Sequence, residues 1–326
     1  MTSGNRPTWL PDLTSIATLR ELLAPRISDG FTGGLHQGVH PGDAVEFSGY
    51  REYTPGDDLR RLDWKHWGRT DHLYLRQSEE ETSQLISIVV DETSSMRWRG
   101  GENRPEKRDV ARGVAAILAS VFLTSGDGVG LRRIGDRTTR DLPPSNSASQ
   151  WETLIDFLDQ DFPSGSPGSA RCPMAERLTE YAATFVRRTR FFLLTDTLEE
   201  PESLWTAIDQ LRRQRHPVTL VQILDPSELT FPYMGITGFR DPETGRVVTA
   251  MASKVRETYL RRLDVFLEQL WSFCHSRGIG HVRLVTDQPL VETLSSQFGQ
   301  TGTETFTDTV STGYSTPPPD SERKKS

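Results

Sequence analysis

The stretch Leu85-Ile86-Ser87-Ile88-Val89-Val90-Asp91-Glu92-Thr93-Ser94-Ser95-Met96 decides how the chain folds. Residues 85–90 are apolar apart from Ser87 and rich in β-branched side chains, which is the signature of a short buried strand. The run stops at Asp91, and Thr93 and Ser95 follow at alternate positions. In open α/β sheets ligands bind outside the carboxyl ends of the strands, so one carboxylate and two hydroxyls at such an end form a candidate set for a hard cation. The competing reading is local, because Asp, Thr and Ser after a strand also cap the next helix or shape a turn.

Working outward toward the C-terminus, strand and helix signals alternate. The periodicity predicts a helix at 106–124, a strand at 129–134, helices at 150–159 and 173–187, and a strand at 190–195. A helix at 202–213, a strand at 218–224, a helix at 254–276, a strand at 281–286 and a short helix at 289–297 follow. Such alternation specifies an α/β fold, a mostly parallel Rossmann-type sheet with helices on both faces. Residues 128–140 could form a hairpin that adds an antiparallel edge.

Toward the N-terminus, residues 12–24 space apolar side chains at helical intervals, and Pro25 is expected to close that helix. The Gly- and Pro-rich region that follows, with Val45-Glu46-Phe47, Tyr50-Arg51-Glu52-Tyr53 and an alternating run at 73–77, reads as a small β element. The expected division is residues 1–82 for the helix and β element, 83–299 for the main domain, and 300–326 for a tail with too little apolar content to fold.

With 326 residues and a formal net charge of -7, the chain can bury a large core, and its acidity argues against nucleic acid as a partner. Its two cysteines, Cys172 and Cys274, form no framework and fit a reducing compartment. No basic flank and apolar run open the sequence, and no stretch reaches the roughly 20 apolar residues needed to span a bilayer. A cytoplasmic chain without a membrane span is expected. The sequence contains no P-loop and no Gly-x-Ser-x-Gly elbow, and its histidines lack partners at ligand spacing outside a glycine-rich loop.

A second apolar run, Phe191-Phe192-Leu193-Leu194-Thr195-Asp196, also stops at an acid, so two carboxylates on one sheet edge can converge on one ion. Asp91, Thr93, Ser95 and Asp196 are the candidate metal ligands, and magnesium, which takes hard oxygen donors and few protein carboxylates, is the candidate cofactor. This pair of motifs resembles the metal-ion-dependent adhesion site of von Willebrand factor A domains. More of the chain resembles the bacterial family called domain of unknown function 58. The matching blocks are Glu46-Phe47, Arg51 through Trp64, Gly68-Arg69, Asp127 through Leu131, Leu224 through Leu229, Phe231-Pro232 and Asp241 through Gly245.

The resemblance implies a von Willebrand factor A-like domain with an appended β element, no established reaction, and association with MoxR-type AAA+ ATPases. It also implies a Thr ligand at the start of a helix between the two motifs. Cys172 falls at that place, and a thiol is a poor magnesium ligand; Ser169 is the nearby hydroxyl. In the block 51–69, Arg51, Arg60, Trp64 and Arg69 are candidate partner anchors, since Trp and Arg dominate binding hot spots. The alternative there is an ion-pair network that holds the β element.

The expectation is a non-enzymatic adaptor, with no catalytic residues, that binds a MoxR-type ATPase or the client it remodels. A magnesium-dependent phosphohydrolase is the rival, although no general base is identifiable. A structural scaffold with a vestigial metal site is the third reading.

Overall fold

A computed structural model of the chain describes residues 7–30, 46–52, 74–79, 83–163, 173–197, 201–242 and 244–299. The apolar runs become strands β3 (Leu85–Asp91), β6 (Thr189–Thr195) and β7 (Val218–Leu224), each buried along almost its whole length. Near-continuous burial is what a strand covered on both faces requires. With β4 (Gly128–Ile134), β5 (Thr139–Ser145) and β10 (Gly280–Val285) they form a six-stranded sheet in the order β10-β7-β6-β3-β4-β5. Every neighbouring pair is parallel except β4 and β5, the antiparallel edge. Gly130 permits that pairing: a Cβ there would stand 2.7 Å from the backbone nitrogen of Pro144, where the β4–β5 register shifts.

Side chains alternate across this sheet. Ile86, Ile88, Val90, Phe192, Leu194, Val221 and Ile223 face one core. That core is completed by α1 (Leu13–Gly30), α2 (Lys107–Thr124), α3 (Gln150–Asp159) and α8 (Leu290–Gly299). Val89, Phe191, Leu193, Val218 and Leu220 face the other core, against α4 (Met174–Ala182), α5 (Pro201–Arg213) and α7 (Ala252–Arg277). The result is the mixed α/β architecture, helices on both faces of a mostly parallel sheet, that the alternation of elements predicts. No helix among the described residues is long and apolar enough to cross a membrane.

Two expectations need correction. α1 does not stop at Pro25 but runs to Gly30. A proline inside a helix removes one backbone bond, and α1 is held regardless by the burial of Ile16, Leu19 and Leu23 in the core. α4 ends at Ala182 rather than near residue 187, because the chain must reach β6 by Thr189. Thr184 makes the turn, its hydroxyl donating to the Tyr181 carbonyl at 2.7 Å. Between β7 and α7, where no element is legible by periodicity, the chain forms the one-turn helix α6 (Pro226–Thr230) and an antiparallel hairpin, β8 (Ile236–Arg240) with β9 (Val247–Met251). The expected N-terminal β element is present as β1 (Glu46–Glu52) paired antiparallel with β2 (Tyr74–Glu79). The tail at 300–326 lies outside the described residues.

In chain order the sheet grows from β3 through β4 and β5 to one side, then through β6, β7 and β10 to the other. The order therefore reverses between β3 and β6, and the carboxyl ends of these two strands flank the crevice in which open α/β sheets bind their ligands. One residue past β3, Glu92 is buried. Arg112 of α2 donates to it through Nε and Nη2, both at 2.9 Å, and Arg133 of β4 donates through Nε at 3.0 Å. The Arg133 Nη1 goes on to the carbonyls of Phe157 and Gln160 at 2.7 and 2.8 Å. One carboxylate thus ties β3 to α2, β4 and the end of α3.

Removing one partner of a buried ionic network leaves charge uncompensated out of water. Glu92→Ala is expected to lower unfolding stability by about 3–5 kcal/mol in urea denaturation. Pairing it with Arg133→Met should recover part of that loss.

Candidate functional site

The end of β3 turns directly into a 3-10 turn at Ser94–Arg97, so Asp91, Thr93 and Ser95 follow one another across the mouth of the crevice. Asp91 is almost wholly buried. Its Oδ1 accepts from the Thr93 backbone N–H at 2.9 Å and from the Thr93 hydroxyl at 2.6 Å. Its Oδ2 accepts from the Thr195 hydroxyl at 2.7 Å, across the gap between β3 and β6. Thr93 Oγ1 and Ser95 Oγ lie 3.1 Å apart. Burial, and then the nearby charge of Asp196, push the Asp91 carboxyl up from 3.8 to about 7, against the hydrogen bonds that favour its ionised form.

Asp196, the residue after β6, also reaches this edge, but its partner is a cation of the chain itself. Lys107, the first residue of α2, is fully buried, and its Nζ donates to Asp196 Oδ2 at 2.8 Å and to Glu228 Oε1 of α6 at 2.7 Å. Burial works against the Lys107 charge, but the carboxylates of Asp196 and Glu228 outweigh it and hold the ammonium above the ordinary lysine range. Burial raises Glu228 above the usual carboxylate range, and Lys107 opposes that rise. Glu228 is fixed by a capping box at the start of α6: its Oε2 accepts from the Asp225 N–H at 2.7 Å, while Asp225 accepts from the Ser227 N–H at 2.7 Å. Asp225 also accepts from the Gly100 N–H at 3.0 Å and from Arg104 Nη1 at 3.2 Å, which anchors the loop between β3 and α2 over the ends of β7 and β10. A Cβ at Gly100 would sit 2.2 Å from Asp225 Oδ1, so this contact needs glycine.

The four candidate ligands therefore gather at one strand edge. Asp91, Thr93 and Ser95 form one hydrogen-bonded chain, and Asp196 stands beside them in an ion pair that the sequence reading did not contain. Among the described residues, no group of three or more His, Cys, Asp or Glu side chains is arranged to hold a metal. Cys172 and Ser169 lie outside the described residues, as do Arg60, Trp64 and Arg69; Arg51 falls in β1, without a described side chain. Sequence reasoning missed Lys107 and Glu228. It also missed Trp98, which is 38% exposed at the rim while its Nε1 donates to Ser227 Oγ at 3.2 Å. The spacing Asp225-x-x-Glu228, typical of a helix cap, was the legible signal for Glu228.

The chain belongs to the family described as protein of unknown function DUF58, whose model matches residues 49–265. An uncharacterized protein of Mycobacterium tuberculosis, Rv1480, is 30% identical over 240 residues, 73% of each chain. The uncharacterized protein YeaD of Bacillus subtilis is 26% identical over 154 residues, 47% of this chain and 33% of that one. Among solved structures, the conserved hypothetical protein BatB from Bacteroides thetaiotaomicron aligns with a TM-score of 0.44 at 15% identity, covering 67% of this chain and 98% of that one.

The raised Asp91 carboxyl has a consequence for stability. Its folded value of about 7 lies above the unfolded 3.8, so its contribution is fully present below 3.8 and is lost as pH rises through about 7. Asp91→Asn removes the ionisation and keeps an acceptor for Thr93, while the Thr195 hydroxyl can turn to accept. The melting temperature of the variant relative to the unsubstituted chain should rise from pH 5 to pH 8, an effect on the order of 3 kcal/mol at most. A parallel pH profile for the two proteins would assign the titration to another group.

Proposed function

For a member of this family, we propose a non-enzymatic adaptor that docks a partner protein at the carboxyl edge of its sheet, over the crevice of Asp91, Thr93, Ser95 and Asp196. The observation that carries this reading is the meeting of those residues at the point where strand order reverses, beneath a rim that presents Trp98 and Arg99 to solvent. Trp and Arg are the side chains that most often anchor a protein interface. In the rim segment 97–108, Arg104 pairs with Asp225 and Arg108 with Glu106, while Arg99 is exposed beside Trp98. That exposed guanidinium suits an acidic segment of the partner.

The partner is a MoxR-type AAA+ ATPase or the client on which it acts, and the setting is the cytoplasm. Arg51, Arg60, Trp64 and Arg69 are a second candidate contact for it. Asp91, Thr93 and Ser95 are hard oxygen donors of the kind magnesium takes, whereas Asp196, the other expected ligand, is engaged by Lys107. When bound, the ion would offer a coordination position to an acidic side chain of the partner. Docking at the rim does not depend on it.

Calorimetry of the chain with a purified MoxR-type AAA+ ATPase tests the reading. Trp98→Ala is expected to weaken binding by roughly 2 kcal/mol, about 30-fold, with little change in melting temperature. If Trp98→Ala and Asp91→Asn both bind as the unsubstituted chain does, the docking surface lies elsewhere.

A further inference from the structure

The cation at the strand edge is already part of the polypeptide. A dication held between the ends of β3 and β6 needs the carboxylate of Asp196 to face it, directly or through a bound water. Here Asp196 Oδ2 and Glu228 Oε1 converge on one atom, Lys107 Nζ, at 2.8 and 2.7 Å. The three groups come from three different elements: the end of β6, the capping box of α6, and the first turn of α2. Their meeting is a product of the fold rather than of local sequence.

Lys107 cannot easily step aside. Its side chain is fully buried, and an ammonium withdrawn from both carboxylates would stay out of water without a counter-charge. A dication brought to Asp91 would instead face a fixed positive charge on the neighbouring carboxylate, with repulsion little screened in a buried site. The position is also locally disfavoured: a lysine in the first turn of a helix opposes the helix dipole, so Lys107 is kept there against that field by its tertiary partners.

We propose that Lys107 is the resident cation of this site: its ammonium, held by Asp196 at the end of β6 and by Glu228 of α6, takes the electrostatic place of a divalent ion, and the edge is assembled without metal. Asp91, Thr93, Ser95 and Thr195 then form a hydrogen-bonded chain beside it. The inference rests on the docking reading only for its view of what the edge is for, and it makes that surface independent of magnesium and of chelators.

The test is manganese uptake by the full chain, followed by electron paramagnetic resonance, together with melting temperatures in magnesium and in EDTA. The unsubstituted protein is expected to take up no Mn2+ in the millimolar range and to melt identically in both solutions. Lys107→Met, nearly the same length but uncharged, is expected to bind Mn2+ at least roughly tenfold more tightly, and adding Asp196→Asn should abolish that gain. Tight uptake by the unsubstituted chain that disappears in Asp91→Asn overturns the proposal, as does a folded Lys107→Met with no gain.

Should Lys107→Met be too unstable to titrate, its melting temperature with and without Mn2+ decides. Stabilisation shows one cation replacing the other, and indifference overturns the idea. Lys107→Arg keeps the charge and should remain blind to metal. No partner enters these measurements, so a failure here leaves the docking reading standing, and a partner that does not bind leaves Lys107 untouched.

Discussion

Carboxylates taken out of water at the carboxyl edge of the sheet have to be neutralised, and the chain meets that demand with its own cations and hydrogen-bond donors. Glu92 is held by Arg112 and Arg133, Asp196 and Glu228 by Lys107, and Asp225 by Arg104 and the Gly100 and Ser227 N–H groups. Buried ion pairs seldom add much net stability, but they are intolerant of a missing partner. They therefore specify which elements must sit together. Apart from the local Ser227–Asp225 bond, residues 91–112 contribute to every one of these contacts, so the segment from the end of β3 into α2 is the seam along which the two halves of the sheet are joined.

The same seam shapes the crevice. Asp91 reaches across to Thr195 on β6, and Gly100 approaches Asp225 at the end of β7 more closely than any other residue could. Trp98 is left at the rim, its indole N–H engaged by Ser227 and part of its ring in solvent. The docking surface proposed above sets a partly exposed tryptophan over a hydrogen-bonded floor.

Much of the fold was legible because burial on both faces writes continuous apolar runs, and these place β3, β6 and β7 to within a residue. Helix limits were less legible. α4 overran in the reading because its apolar spacing continues through Phe185 while the chain has already turned toward β6. α1 crosses Pro25 because tertiary burial outweighs one lost backbone bond. The β8–β9 hairpin went unseen: its strands are five residues each, and most of their side chains are exposed, so no strong alternation marks them. Asp91, Thr93, Ser95 and Asp196 were legible as strand-end polar residues. Lys107 was not, since local rules place lysine at the other end of a helix.

The sequence by itself determined the α/β class, the strands that carry the site and the identity of four polar residues on one edge, because apolar period and the acids that end it are local properties of the chain. Only the tertiary structure decided what those residues face. The pairing of Lys107 with Asp196 spans 89 positions, and its pairing with Glu228 spans 121. Contacts of that range are set by the order in which strands join the sheet and by the need to leave no buried charge unpaired, and no local pattern records either.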